Sequence, residues 1–271
     1  MRDNAPDSIR REIINIYHTI KDLKNNEILH GTSSLPQESY DRLSRLAAMN
    51  VEDDVVEEIL LDPVFKPAVK AICRLRELNG LRMEIEHAQS ILFSPDPWGV
   101  VKGFLLFPNY KQLARMEYQG AGLESGERVI FLGSGPLPLS LILLCAKNGV
   151  RGVGIEQVSE YTDLSRKVIK SLKLSSLIRI VCGNHFSLPL QESCQLIMVA
   201  SSAQPREEVF AHLARVLPLG VKVSYRIYEK GLRRILDDQS SFNVPLGFQE
   251  HLRIRPEPPV NNTVVFLKRI N

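Results

Sequence analysis

The sequence predicts an α/β protein in two parts, an N-terminal all-helical bundle followed by a Rossmann-like domain. Three observations predict it. Roughly the first 120 residues carry helical periodicity with no convincing strand. Short apolar runs then alternate with helical patterns, and a glycine-rich turn follows the first of those runs.

In the first part, Ile9, Ile13, Ile16, Tyr17 and Ile20 recur at spacings of three and four and form one apolar stripe. Ser and Pro in SSLPQESYDRLSRLAAM offer a helix start before Tyr40, Leu43 and Leu46. Pro63 and Pro67 punctuate the next stretch. The longest uninterrupted pattern then runs from Ala68 to about Leu92, and Ser94-Pro95-Asp96-Pro97 breaks it. A further helix over 98–118 is interrupted near Phe107-Pro108.

Past Gly126 the pattern changes. Strands are expected at 128–132, 152–156, 178–182, 194–200 and 221–225, with helices after the first, second and fourth. Residues 248–254 and 263–268 read as a closing hairpin pair. Right-handed crossovers give a mostly parallel sheet covered on both faces. The expected domains are 1–122 and 123–271.

Composition narrows the function. With 34 Lys+Arg against 31 Asp+Glu the net charge is only +3, and no long basic run is present. That gives no electrostatic reason to expect nucleic acid or a membrane surface. No apolar run reaches the length of a membrane span and no signal-peptide pattern opens the chain, so a cytoplasmic location is expected. Cys73, Cys145, Cys182 and Cys194 stand singly, without zinc spacing. The first three sit in apolar or mixed runs and are expected to be small buried hydrophobes. No metal site is expected.

The candidate site lies at the end of the first strand. Gly133 and Gly135 flank Ser134 and let backbone approach a ligand closely, and Pro136 and Leu137 complete the loop. A full GxGxxG is absent, which argues against a dinucleotide. Glu156, at the end of the second strand, lies 23 residues after Gly133, where a carboxylate accepts bonds from ribose hydroxyls. The third strand ends at Gly183-Asn184-His185; the Asn184 amide suits an adenine edge, and His185 either stacks on adenine or caps the turn. Together this is the layout of an S-adenosylmethionine (SAM) site. The alternative makes the glycines ordinary turn residues and Glu156 a helix N-terminal charge.

The loop GSGPLPLS is more specific than a glycine turn, and with it the chain resembles the nicotianamine synthase family. That family includes archaeal members and bacterial histidine 2-aminobutanoyltransferases of the opine-metallophore type. LRMEIEHAQ (81–89), FPNYKQLARMEY (107–118), VGIEQ, YRIYEKGLRRIL (225–236) and VNNTVVFLK (260–268) carry the rest of the resemblance. It implies transfer of the 3-amino-3-carboxypropyl group of SAM to an amine, with methylthioadenosine released. It also implies that Glu84 is the catalytic glutamate and Tyr110 the catalytic tyrosine. The expected acceptor is an amino acid, histidine by analogy with the bacterial relatives. The product would pass to an opine-type dehydrogenase, and the metal would bind the product.

The residues allow the same chemistry by themselves. An amine is nucleophilic only when neutral, and a partly buried carboxylate can take its proton. Glu84 and Glu86 are two apart and do not share a helix face, so one is expected inward and one outward. Glu84 as a mere partner of Arg82 or His87 is the alternative. Arg226 is expected to grip a substrate carboxylate bidentately. Asn262 is either a ligand contact or a turn residue. Two other readings stay open: an ordinary SAM methyltransferase, and a true nicotianamine synthase that condenses three SAM molecules.

Overall fold

The computed structural model describes residues 5–31, 34–237, 243–258 and 260–270. By its contacts the chain divides into two compact units, Met1–Met83 with Ile227–Ser241, and Glu84–Arg226 with Phe242–Asn271.

The first unit is helical. It holds α1 (Ala5–Ile20), α2 (Asn25–His30), α3 (Leu35–Ala47), α4 (Asp53–Leu61) and most of α5 (Lys66–Phe93). The isoleucine stripe of α1 is buried, and Leu43, Val56, Ile59, Ile72 and Leu75 close a core around it. A 3-10 turn at Gly231–Leu236 adds Leu232 and Ile235 to the same core. The turn is tied to α4 by the Gly231 N–H donating to Asp53 (2.9 Å) and by Arg234 paired with Glu57 at 2.6 Å. The short helices α2 and α4 were not distinct in the sequence, because six and nine residues give too few turns for a period.

The second unit holds a seven-stranded sheet. Its elements are α6 (Pro97–Gly103), α7 (Phe107–Ala121), β1 (Arg128–Leu132), α8 (Leu139–Asn148), β2 (Arg151–Glu156), α9 (Ser159–Ser171), β3 (Ile178–Cys182), β4 (Leu196–Val199), α10 (Arg206–Val216), β5 (Lys222–Ile227), β6 (Phe248–Ile254) and β7 (Thr263–Arg269). The strand order is β3-β2-β1-β4-β5-β7-β6. The pairs β1–β2, β1–β4, β2–β3 and β4–β5 are parallel, and β6–β7 is the antiparallel hairpin pair expected from the sequence. Order reverses at β1, whose neighbours are β2 and β4, so the loop after β1 stands at the switch point where such sheets bind ligands.

The expected boundary at residue 122 does not coincide with the division by contacts. Residues 84–121 pack with the sheet: Arg226 of β5 pairs with Glu117 of α7, and α7 lies close on β7 at Gly120. Cys182 also differs from expectation, being exposed at the end of β3, whereas Cys73, Cys145 and Cys194 are buried. By alternation Cys182 shares a face with the buried Ile178 and Ile180, but it is the last residue of the strand and its side chain there is exposed.

In a helix interior alanine ordinarily stabilises by about 1 kcal/mol over glycine, and Gly120, one residue from the end of α7, would gain at most that. Here an added Cβ would meet two ring carbons of the fully buried Phe266 at 2.4 Å and Ile254 at 2.9 Å. The overpacking penalty, about 1–3 kcal/mol, outweighs the propensity gain. Gly120→Ala is expected to lower the denaturant midpoint; a rise would show that α7 does not approach β7 so closely.

Candidate functional site

The loop after β1 is built on its own backbone. Gly133 and Gly135 have φ of 75° and 68°, where a side chain is strained. The N–H groups of Gly133 and Ser134 both donate to Ile155 O, at 2.9 and 3.0 Å. The Gly135 N–H donates to Glu156 Oε2 at 3.0 Å, and the Val158 N–H donates to Glu156 Oε1 at 2.9 Å. Glu156 therefore holds the loop in place as well as ending β2. Pro136 and Leu137, which complete the loop, are buried. The Ser134 hydroxyl is buried with no partner among the described residues, an orphan of the kind a bound polar molecule satisfies.

Glu84 reaches this loop. A Cβ on Gly135 would meet Glu84 Oε2 at 2.9 Å. The Tyr110 hydroxyl donates to Glu84 Oε1 over 3.4 Å, at the long end for such a bond. Burial pushes the Glu84 carboxyl up to about 8; the Tyr110 bond opposes the rise, and the nearby Glu156 charge adds to it. Glu86 is exposed, as the two-residue spacing required. The two basic neighbours turn elsewhere. Arg82 bonds to Gln37 and Asn79, and His87 Nε2 meets Val100 O at 2.9 Å.

Tyr110 sits in the first turn of α7, with Pro108 inside the helix start. Its ring is packed in a series: His87 lies 4.5 Å from Phe104, and Phe104 lies 6.5 Å from Tyr110. The Arg226 guanidinium stands 5.9 Å from the Tyr110 ring centre.

Arg226 departs from its expected role. Its Nε and Nη2 donate to the two oxygens of Glu117 at 3.1 and 2.9 Å, and Nη2 also donates to Ser140 at 2.8 Å. The fork expected to grip a substrate carboxylate is engaged within the protein. Glu117, only 2% exposed, needs that cation, because a buried carboxylate left alone is heavily penalised. Sequence reasoning missed Glu117: an acid on an amphipathic helix reads as a solvated charge, and its partner lies 109 positions away.

The end of β3 also differs. Asn184 accepts from the Phe186 N–H at 3.0 Å and so caps the 3-10 turn His185–Ser187. Its amide nitrogen has no bond among the described residues. His185 neither caps the turn nor is exposed. It is buried against α10, 5.4 Å from the His212 ring and 3.6 Å from Glu208. Phe186 is the ring the turn presents, 59% exposed. Asn262 is half-buried just before β7, and no contact among the described residues joins it to Glu84, Tyr110 or the loop. No group of three His, Cys, Asp or Glu among the described residues is placed to hold a metal.

The nicotianamine synthase protein family model matches residues 2–271. The chain belongs to that family. It is 26% identical over 198 residues to an L-histidine 2-aminobutanoyltransferase of Yersinia pestis, covering 72% of each chain. Among solved structures it is similar to a glutamate-to-glutamine mutant of MtNAS in complex with S-adenosylmethionine, with TM-score 0.83, 25% identity and full coverage of both chains. MtNAS in complex with MTA and tNA matches at TM-score 0.83 and 27% identity, covering 98% of each chain.

The raised Glu84 carboxyl has a consequence for stability. In the unfolded chain a glutamate loses its proton near the ordinary value of 4.5; in the folded protein this one keeps it to about 8. Between those values the folded state binds more protons, so this group's contribution to stability falls as pH rises through the window. Glu84→Gln should therefore gain thermal stability over the parent from pH 5 to pH 8, with no further gain above. A difference in Tm that stays constant with pH would show that Glu84 ionises normally.

Proposed function

We propose that this protein is a SAM-dependent 3-amino-3-carboxypropyl transferase acting on the amine of an amino acid. The observation that carries the reading is the convergence of Glu84 and Tyr110 on the Gly135–Glu156 loop. Burial raises the Glu84 carboxyl to about 8, much nearer the basicity of an amine than an ordinary glutamate is, so a proton can pass to it less steeply uphill.

Bound at this loop, SAM supplies a γ-carbon made electrophilic by its sulfonium; the amine nitrogen forms a bond to that carbon, the C–S bond breaks, and its electron pair leaves on methylthioadenosine. The chain's own groups do the rest. Glu156 receives the ribose hydroxyls, as its place at the end of β2 suggests. The Asn184 amide nitrogen is left to donate to an adenine ring nitrogen, with Phe186 as a ring face beside it. The Ser134 hydroxyl and the backbone of Gly133, Gly135, Pro136 and Leu137 line the approach. Glu84 takes the proton released when the amine becomes nucleophilic, and Tyr110 orients both groups by its hydroxyl. A sulfonium charge beside Glu84 favours the ionised carboxylate, so the base is generated as the donor binds. Glu117, Arg226 and Ser140 position Tyr110 from behind, which replaces a substrate-gripping role for Arg226. Asn262 keeps a proposed place on the acceptor side.

Histidine is the acceptor we favour, since the Yersinia pestis relative carries that name. On this reading residues 1–122 supply the acceptor-side groups and residues 123–271 hold SAM. A cytoplasmic enzyme passing its product to an opine-type dehydrogenase completes the proposal. Among the described residues no helix is long and apolar enough to cross a membrane.

Mass spectrometry of a reaction with SAM and mixed amino acids tests this. Methylthioadenosine together with histidine carrying one added aminobutyrate unit is the expected result. Nicotianamine formed with no added acceptor would make the protein a three-SAM condensing enzyme, and S-adenosylhomocysteine would refute carboxypropyl transfer. Glu84→Gln is expected still to bind SAM while turnover falls on the order of 10²-fold or more; unchanged turnover would remove Glu84 as the base.

A further inference from the structure

Helix α7 has a second face, which the transfer reaction does not use. Tyr110 and Glu117, seven residues apart, lie on the face turned to the site. Phe107, Lys111, Arg115 and Tyr118 lie on another, successive at spacings of three and four. That second face floors a groove of about 720 Å³ between α6, α7 and α8. Each wall repeats the same chemistry, with one apolar and one cationic residue a turn apart. On α6 these are Trp98 and Lys102, and on α8 Leu143 and Lys147.

The lining contains no Asp or Glu. Lys102, Lys111, Arg115 and Lys147 have no ion-pair partner among the described residues. The whole chain carries a formal excess of only +3, so four cations with no acid among the lining residues make a local positive patch that the overall balance does not show. Lys111 and Arg115 at i,i+4 repel each other mildly, an arrangement that helix stability does not favour.

We infer that this groove docks an acidic amphipathic helix of a partner protein. The floor from Phe107 to Tyr118 spans about 16 Å at 1.5 Å per residue, three turns of such a helix. Apolar anchors would lie on the aromatic floor, and flanking Asp or Glu would meet the cations on both walls. The cations are spread along the groove on three helices, which suits a row of carboxylates better than one compact polyphosphate.

Trp98 is the only tryptophan, so its emission reports on this groove alone. The full chain is titrated with a synthetic helical peptide bearing Leu on one face and Glu on its flanks. A saturable blue shift is expected. The double variant Lys111→Glu, Arg115→Glu should bind it more weakly on the order of 10-fold or more. The same variant should bind a Lys-flanked peptide better than the parent does, while SAM turnover stays at the parent level. The inference is overturned if the acidic peptide leaves Trp98 emission unchanged, or if the Lys-flanked peptide binds the parent equally well. It is overturned too if ATP alone saturates the same shift at lower concentration. Sedimentation showing that the parent is a dimer which the double variant dissolves would assign the groove to a second copy instead.

Discussion

A side chain at position 135 would run into the Glu84 carboxylate, and the rest of the site depends on that close approach. The residue there must adopt a positive φ, offer its N–H to Glu156 and leave room for a second acid on the other side. Glycine meets all three demands. The loop thereby brings two carboxylates into mutual influence. Among the described residues Glu156 has two backbone donors on its oxygens, whereas Glu84 has a single long bond from a phenol. Environment divides their roles: one acid is a fixed acceptor, and the other carries a raised carboxyl suited to proton transfer.

The aromatic half of the site is held from behind by a buried ion pair. Glu117 and Arg226 join α7 to β5, and Ser140 ties the same guanidinium to α8. Such a pair contributes little net stability, because desolvation offsets most of its attraction, but breaking it leaves a stranded buried charge. Its value here is geometric. It fixes the rotation of α7, and the 5.9 Å approach of Arg226 to the Tyr110 ring helps fix the phenol. The same rotation leaves the cationic stripe of α7, Lys111 and Arg115, lining the groove between α6, α7 and α8.

Much of this was legible in the sequence. Strands covered on both faces read as short apolar runs, so β1 to β5 and the closing pair were found within a residue or two of their ends. The stripe of α1 and the loop glycines were equally plain. Only the family resemblance distinguishes Glu84 from Glu86, since a two-residue spacing says only that the pair is split across faces. Glu117 escaped because its meaning depends on a cation 109 positions away. The burial of His185 was not legible for a related reason: the packing of a turn against α10 decides which of two adjacent rings is buried, and Phe186 is the one left outward.

The central claim is that Glu84 holds its proton to about 8 in the free protein and gives it up when a sulfonium is beside it. Infrared difference spectra between the parent and Glu84→Gln, taken from pH 5 to pH 9 with and without SAM, test this directly. The account predicts a protonated-carboxyl band that disappears near pH 8 without SAM and at clearly lower pH with it. A band already gone by pH 5, or one that SAM does not move, would contradict it.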